Sequence, residues 1–319
     1  MLIGKKAGIT LVKLCLGTVQ FGMKYGINNH AGQPSEEECF EMLDTAIKNG
    51  IDTIDTAMAY GTAESLVGNY LEYRRCHRKV DIISKLCPNI IDPKEKDVYS
   101  VIRKQLEDSL ERLHISQLKG YLLHTPEYVY DERIIKALFR LKDEKLIQNV
   151  GVSIYDMREG DEAIKKHLDY VQLPYSILDQ RGTQSGYIQK AKKAGMTIFT
   201  RSVFLQGLFM MGSDKIPEHL EHAKPYLRYF EASIEEHRMN KVELLLQFVK
   251  ETADIDYLVF GVDNKMQLLE NMKIFESDIF ISKELLENIR DYYKEVDDSI
   301  ILPSLWANGR KVKYSASVK

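Results

Sequence analysis

Cysteine is scarce in this chain: four residues (Cys15, Cys39, Cys76, Cys87) among 319, none in a Cys-x-x-Cys pair. That density excludes a disulfide scaffold and a cysteine-held metal ribbon, and the four read as reduced thiols. Long hydrophobic runs are missing as well. No stretch reaches the about 18 apolar residues that a membrane-spanning helix needs, and Met1–Lys6 lacks the apolar core of a signal peptide. A cytoplasmic location is the expectation. A surplus of one charge is also absent, and a net charge of -3 gives no hint of a nucleic-acid or anionic-membrane partner. No His/Cys/Asp grouping has metal-ligand spacing. There is no Pro/Gly/Ser-rich linker, no low-complexity segment and no tandem repeat longer than one strand-helix unit. The Gly-x-Gly-x-x-Gly fingerprint of a doubly wound nucleotide fold is missing, since Gly17 and Gly22 have the wrong spacing for it.

What remains is an ordinary globular composition, 44% hydrophobic and 29% charged, laid out as alternating short apolar runs and amphipathic stretches. The runs read as strands at Leu11–Leu16, Thr53–Asp55, Val80–Lys85, Gly120–Leu123, Asn149–Ser153, Tyr170–Leu173, Thr197–Arg201 and Tyr257–Phe260. Between them lie helical patterns: one opening at Ser35, then Ala63–Tyr73, Val98–Leu113, Glu132–Lys145, Met157–Lys166, Thr183–Ala194, Ser233–Thr252 and Lys265–Met272. A further helix is read at Lys283–Val296. Ser35 with Glu38 three residues on is a capping box, and Asn49-Gly50 is a helix stop. Eight strand-helix pairs without a linker predict a (β/α)8 TIM barrel. The expectation is a single domain over 1–319, with a tail from about 298 packed outside the barrel or over its mouth. Trp306, the only tryptophan, either covers that mouth or pins the tail to a helix.

The chain is organised around Ile51–Gly61. This stretch opens as a strand, ends on the carboxylate of Asp55, and five residues later carries the phenol of Tyr60. Two later strands end in the same manner, on the ammonium of Lys85 and the imidazole of His124. In parallel α/β proteins, sites are built at the C-terminal ends of strands. Taken singly, Asp55 reads as a helix cap, Lys85 as a solvated strand end and His124 as a core histidine. Their order and strand-end placement together point to chemistry.

These segments resemble the aldo-keto reductases, and the resemblance runs from Gly17 to Asn271. It implies a catalytic tetrad of Asp55, Tyr60, Lys85 and His124. Tyr60 would protonate a carbonyl oxygen as hydride arrives, with Lys85 favouring the phenolate, Asp55 holding Lys85, and His124 orienting the carbonyl. The implied cofactor is NADPH or NADH. Gly17 and Thr18 fall in the loop near its ribose, and Asp55 belongs to the same region. Ser153 and Gln172 would hold the nicotinamide carboxamide; Ile154 stands where the family usually has asparagine. Arg201 occupies the place of an aromatic residue that stacks under the nicotinamide. Ser202, Leu205 and Gln206 are matched to the pyrophosphate loop, and Gly261, Asp263, Gln267, Glu270 and Asn271 to the adenosine end. Gly261 and Gln267 sit where basic residues often grip a 2′-phosphate. Asp263 there raises NADH as the cofactor against the family's usual NADPH.

The substrate pocket is expected from 23–29, 126–130 and 209–211. The wording of Leu16–Gly22 and Arg201–Gly207 resembles a bacterial branch linked to surface-polysaccharide sugars. A small carbonyl compound, sugar-derived in that branch, is the implied partner. Two other functions fit the pattern: a dinucleotide-binding sensor or regulatory subunit with little turnover, and an unrelated barrel enzyme with phosphate loops after its last two strands.

Overall fold

The computed structural model describes residues 12–306. Eight parallel strands close into a barrel in sequence order: β1 Lys13–Gly17, β2 Thr53–Asp55, β3 Asp81–Leu86, β4 Leu118–Leu123, β5 Ile147–Ser153, β6 Tyr170–Pro174, β7 Thr197–Arg201 and β8 Tyr257–Phe260. Closure is made by β1, which pairs with β2 on one side and β8 on the other. The (β/α)8 barrel anticipated from the sequence is therefore the architecture. Strand ends differ from expectation by a residue or two, and Leu11 lies outside the described residues.

The helices cover the barrel with their apolar stripes, forming one continuous core between helix layer and sheet. Ser35 caps the first long helix, Glu36–Lys48, as predicted. Its hydroxyl oxygen accepts from the Glu38 amide while Glu38 accepts from the Ser35 amide. Two expected helices are in fact pairs. The stretch Thr183–Ala194 is broken at Gly186, which adopts φ +70 between Arg181–Gln184 and Tyr187–Lys193. The stretch Ser233–Thr252 is broken after Lys224–Glu236, and Asn240 opens Lys241–Lys250 with a capping box to Glu243. Asn-x-x-Glu is a start signal in its own right, and the apolar periodicity had masked it. In the tail, Trp306 is buried and its indole N–H donates to the Ile300 carbonyl at 3.0 Å, which pins the chain there; 307–319 lie outside the described residues.

A second, smaller core fills the barrel interior: Cys15, Ile83, Leu122, Tyr170, Phe199 and Val259, with Tyr257 against them. Phe199 stacks on Tyr257 at 4.5 Å. Two glycines make room for these side chains. A Cβ at Gly120 would lie 3.0 Å from the Tyr170 ring, and one at Gly151 would lie 2.4 Å from Leu122. Side chains on a strand alternate faces, so the residue two places on points to the same side. Two places beyond Cys15, Ile83, Leu122, Tyr170, Phe199 and Val259 stand Gly17, Lys85, His124, Gln172, Arg201 and Gly261. Asp55 and Ser153 complete the layer from β2 and β5. An aromatic floor thus carries a polar ring at the C-terminal mouth, with one residue from each strand.

Candidate active site

The ring is wired by hydrogen bonds. Lys85 Nζ donates to Asp55 Oδ1 and Oδ2 at 2.8 and 2.7 Å, to the Thr56 carbonyl at 3.0 Å, and to the Tyr60 hydroxyl at 3.2 Å. Both members of the ion pair are almost fully buried. A buried charge pair persists only with good geometry and further hydrogen bonds, and the Thr56 carbonyl supplies one. On the other side Gln172 Nε2 donates to Asp55 Oδ1 at 2.7 Å, and Ser153 Oγ donates to Gln172 Oε1 at 3.3 Å. Asp55 therefore links the pair expected at the proton donor to the pair expected at the nicotinamide.

Tyr60 reaches the ring from the loop after β2. Its ring meets His124 edge to face, with centroids 5.8 Å apart and planes at 88°. Burial pushes the His124 imidazole down to about 3, helped by the nearby charges of Lys85 and Arg201. The imidazole is consequently neutral across the physiological range, with one N–H to donate. Its Nδ1 is buried and has no hydrogen-bond partner among the described residues.

Thr18 is in the expected loop but does not face the mouth. It is fully buried, and both its amide and its hydroxyl donate to the Asp55 carbonyl, at 3.0 and 3.1 Å. It props up Asp55 from behind. Arg201 lies over the Tyr155 ring, its guanidinium carbon 4.4 Å from the centroid. The same group donates to the Ile154 carbonyl at 3.2 Å and to Ser202 Oγ at 3.3 Å. The two departures from the family's usual residues, at 154 and 201, are thus in direct contact.

After β7 the backbone turns left-handed: φ is +67 at Ser202, +45 at Leu205, +53 at Gln206 and +89 at Gly207. Right- and left-handed residues in succession aim amides into a shared concavity that suits an anion. The Leu205 side chain is buried in the core, and its amide already donates to the Ser202 carbonyl at 2.9 Å, which closes this turn. After β8, Asp263 is half-buried and burial pushes its carboxyl up. Its amide donates to Gln267 Oε1 at 2.8 Å, and its Oδ1 accepts from Asn29 Nδ2 at 3.1 Å. Lys265 turns away and pairs with Glu41 at 3.3 Å. Glu270 is exposed on the helix Lys265–Glu276, whereas Asn271 is buried. Gly261 leaves space that the Gln20 carboxamide occupies, since a Cβ there would lie 2.3 Å from Gln20 Oε1. That oxygen is buried without a hydrogen-bond partner among the described residues.

These observations fit a nicotinamide dinucleotide. Carboxamides and a hydroxyl stand over an aromatic floor, a guanidinium lies beside them, left-handed backbone follows β7, and a carboxylate follows β8. Among the described residues no group of three or more His, Cys, Asp or Glu could hold a metal ion, and no helix is long and apolar enough to cross a membrane.

Two participants carried no clear sequence signal, Tyr155 and the buried Glu64, while Asn29, expected in the substrate pocket, bonds to Asp263 after β8. Glu64 accepts from Ser84 and from Arg112, so it joins the helix behind Tyr60 to the residue before Lys85. A carboxylate in the first turn of an apolar helix, four residues past Tyr60, was the available clue.

Comparison with known proteins agrees with the geometry. The sequence profile of the Aldo/keto reductase family matches residues 13–293. A Bacillus subtilis protein named uncharacterized oxidoreductase YrpG is 31% identical over 324 residues, covering 90% of this chain and 94% of that protein. The thermostable aldo-keto reductase Tm1743 superposes with a TM-score of 0.68 at 26% identity, covering 91% of this chain and 99% of that one. Aldo-keto reductase AKR11C1 from Bacillus halodurans gives 0.69 at 20% identity over 88% and 92%, a likeness of fold. With the barrel, the ring of strand-end residues and a family match across most of its length, this chain belongs to the aldo/keto reductase family and is an NAD(P)H-dependent oxidoreductase.

Proposed function

We propose that the chain reduces an aldehyde or ketone to an alcohol in the cytoplasm, with Tyr60 as general acid and Asp55, Lys85 and His124 as its partners. The observation that carries this reading is the placement of Lys85 Nζ, within hydrogen-bond distance of both Asp55 and the Tyr60 hydroxyl. When bound, the nicotinamide dinucleotide supplies the hydride. Tyr60 gives its proton to the carbonyl oxygen, and the Lys85 ammonium stabilises the phenolate left behind. Asp55 keeps that ammonium in place. Neutral His124 donates to the same carbonyl oxygen and fixes its direction. Ser153 and Gln172 would hold the carboxamide, Arg201 would lie against the nicotinamide ring, and the backbone of the 202–206 turn would take the pyrophosphate.

At the adenosine end, Asp263 accepts from a free ribose 2′-hydroxyl and repels a 2′-phosphate. Lys265, paired with Glu41, does not offset that repulsion. NADH is therefore accepted at least as well as NADPH. The substrate class to try first is a keto-sugar. The deciding experiment is a carbonyl panel, keto-sugars included, followed by loss of reduced-cofactor absorbance in the parent chain and in Tyr60→Phe. The expected result is multiple turnover in the parent, with kcat in the variant below about a tenth of it, as loss of a general acid implies, and cofactor affinity unchanged. Stoichiometric binding without turnover would favour a sensor instead. A variant above that tenth would remove Tyr60 from the acid role.

A further inference from the structure

The loop after β1 reaches beside the neighbouring β8 and is fastened to the segments that follow β7 and β8. The Ile27 amide donates to the Gln206 carbonyl at 3.0 Å. Next to it, Gly207 sits so close to Asn28 that a Cβ at 207 would lie 2.8 Å from the Asn28 Cβ. Asn29 then makes three bonds at once. Its Oδ1 accepts from the Gly32 amide at 2.7 Å, while its Nδ2 donates to the Gly32 carbonyl at 3.0 Å and to Asp263 Oδ1 at 3.1 Å. The side chain is only 6% exposed. One segment, 26–32, thus touches the left-handed backbone after β7 and the carboxylate after β8. Those are the stretches to which the pyrophosphate and the adenosine ribose were assigned above.

We propose that Asn29 is a specificity-determining residue of the dinucleotide site: it fixes the Asp263 carboxylate toward the groove and clasps the β1 loop across it, selecting a cofactor with a free 2′-hydroxyl. The inference rests on the nicotinamide reading of the preceding section. A carboxylate on an aspartate stem escapes an approaching phosphate by turning into water, and the phosphate then meets little penalty. Tied by Asn29, whose own orientation is set by Gly32, Asp263 keeps its charge where the ribose must lie. A hydroxyl donates to it and a phosphate is repelled. The same tie holds the loop down, so a bound dinucleotide leaves only after the Asn29–Asp263 bond has opened.

The test is direct binding of NADH and NADPH to the full chain, read by nicotinamide fluorescence, with dissociation followed by stopped flow. Asn29→Ala is expected to lower the NADH-over-NADPH affinity ratio at least fivefold and to speed NADH release at least fivefold. Asn29→Leu keeps a similar volume, adds no charge and removes the donor to Asp263, so it must lower the ratio as well. Ile27→Pro removes the bond to Gln206 together with the Ile27 side chain packed on the core, and leaves Asn29 and Asp263 unaltered; it should speed release and leave the ratio within twofold. An unchanged ratio in both Asn29 variants, with circular dichroism like the parent's, overturns the proposal. Failure of the parent to bind either dinucleotide would instead refute the cofactor reading itself.

Discussion

Replacing Lys85 by methionine isolates what the buried ion pair contributes to folding. At 2.7 Å and an effective dielectric near 20, the attraction between Lys85 and Asp55 is roughly 6 kcal/mol before desolvation. Desolvation of the two charges consumes much of that, so the pair itself adds little net stability. Breaking it is another matter, because an unpaired buried carboxylate remains, and such losses run about 3–5 kcal/mol. Gln172 still donates to Asp55 in the variant, which places the expected loss at the lower end, about 3 kcal/mol. The double variant Asp55→Asn/Lys85→Met removes the stranded charge and should recover at least half of that loss. Urea unfolding at pH 7.5, compared at equal m-values, measures both. A Lys85→Met chain within about 1 kcal/mol of the parent, or a double variant no more stable than the single one, would refute the reasoning. The same single variant should also displace the activity-pH optimum, since Tyr60 loses its neighbouring ammonium.

Acid stability should respond to His124. Its folded-state value is depressed, so it contributes stability that is complete above about 6.5 and is lost as pH falls toward about 3. His124→Asn should therefore gain up to about 2 kcal/mol on the parent at pH 5 and nothing at pH 8, by urea unfolding. Arg201 bears on redox-state preference: a fixed cation beside the nicotinamide disfavours its oxidised, cationic form. Arg201→Tyr should narrow the gap between the two forms' dissociation constants, and an unchanged ratio would remove Arg201 from the site. Asp263→Ser should shift kcat/KM toward NADPH; a parent that already favours NADPH tenfold would show that Asp263 does not discriminate.

The barrel was legible because strand and helix periodicities alternate eight times. The ring was legible for a related reason. Strand ends are local properties, and they singled out Asp55, Lys85 and His124, whereas Ser153, Gln172 and Arg201 were named through the resemblance to the aldo-keto reductases. What escaped was non-local or smaller than the window used to read it. Short breaks at 185–186 and 237–240 divide two helices, and apolar spacing on both sides concealed them. Thr18 looked like a groove residue by position, yet its hydroxyl is spent on the Asp55 backbone. No local pattern announces that Asn29 bonds a residue 234 positions away.

The bond from Gln172 to Asp55 joins residues 117 positions apart, and Leu16 meets Phe260 only once β8 has docked on β1. Each strand supplies one member of the ring, so no contiguous fragment short of the whole barrel contains all of it. Chemistry is therefore a late event in the life of each molecule. Loop-closure entropy must be met for the longest span before the polar ring exists. On refolding from denaturant, helical signal should return first, and competence to bind dinucleotide should return with the final closure, in a single phase shared by all eight strands.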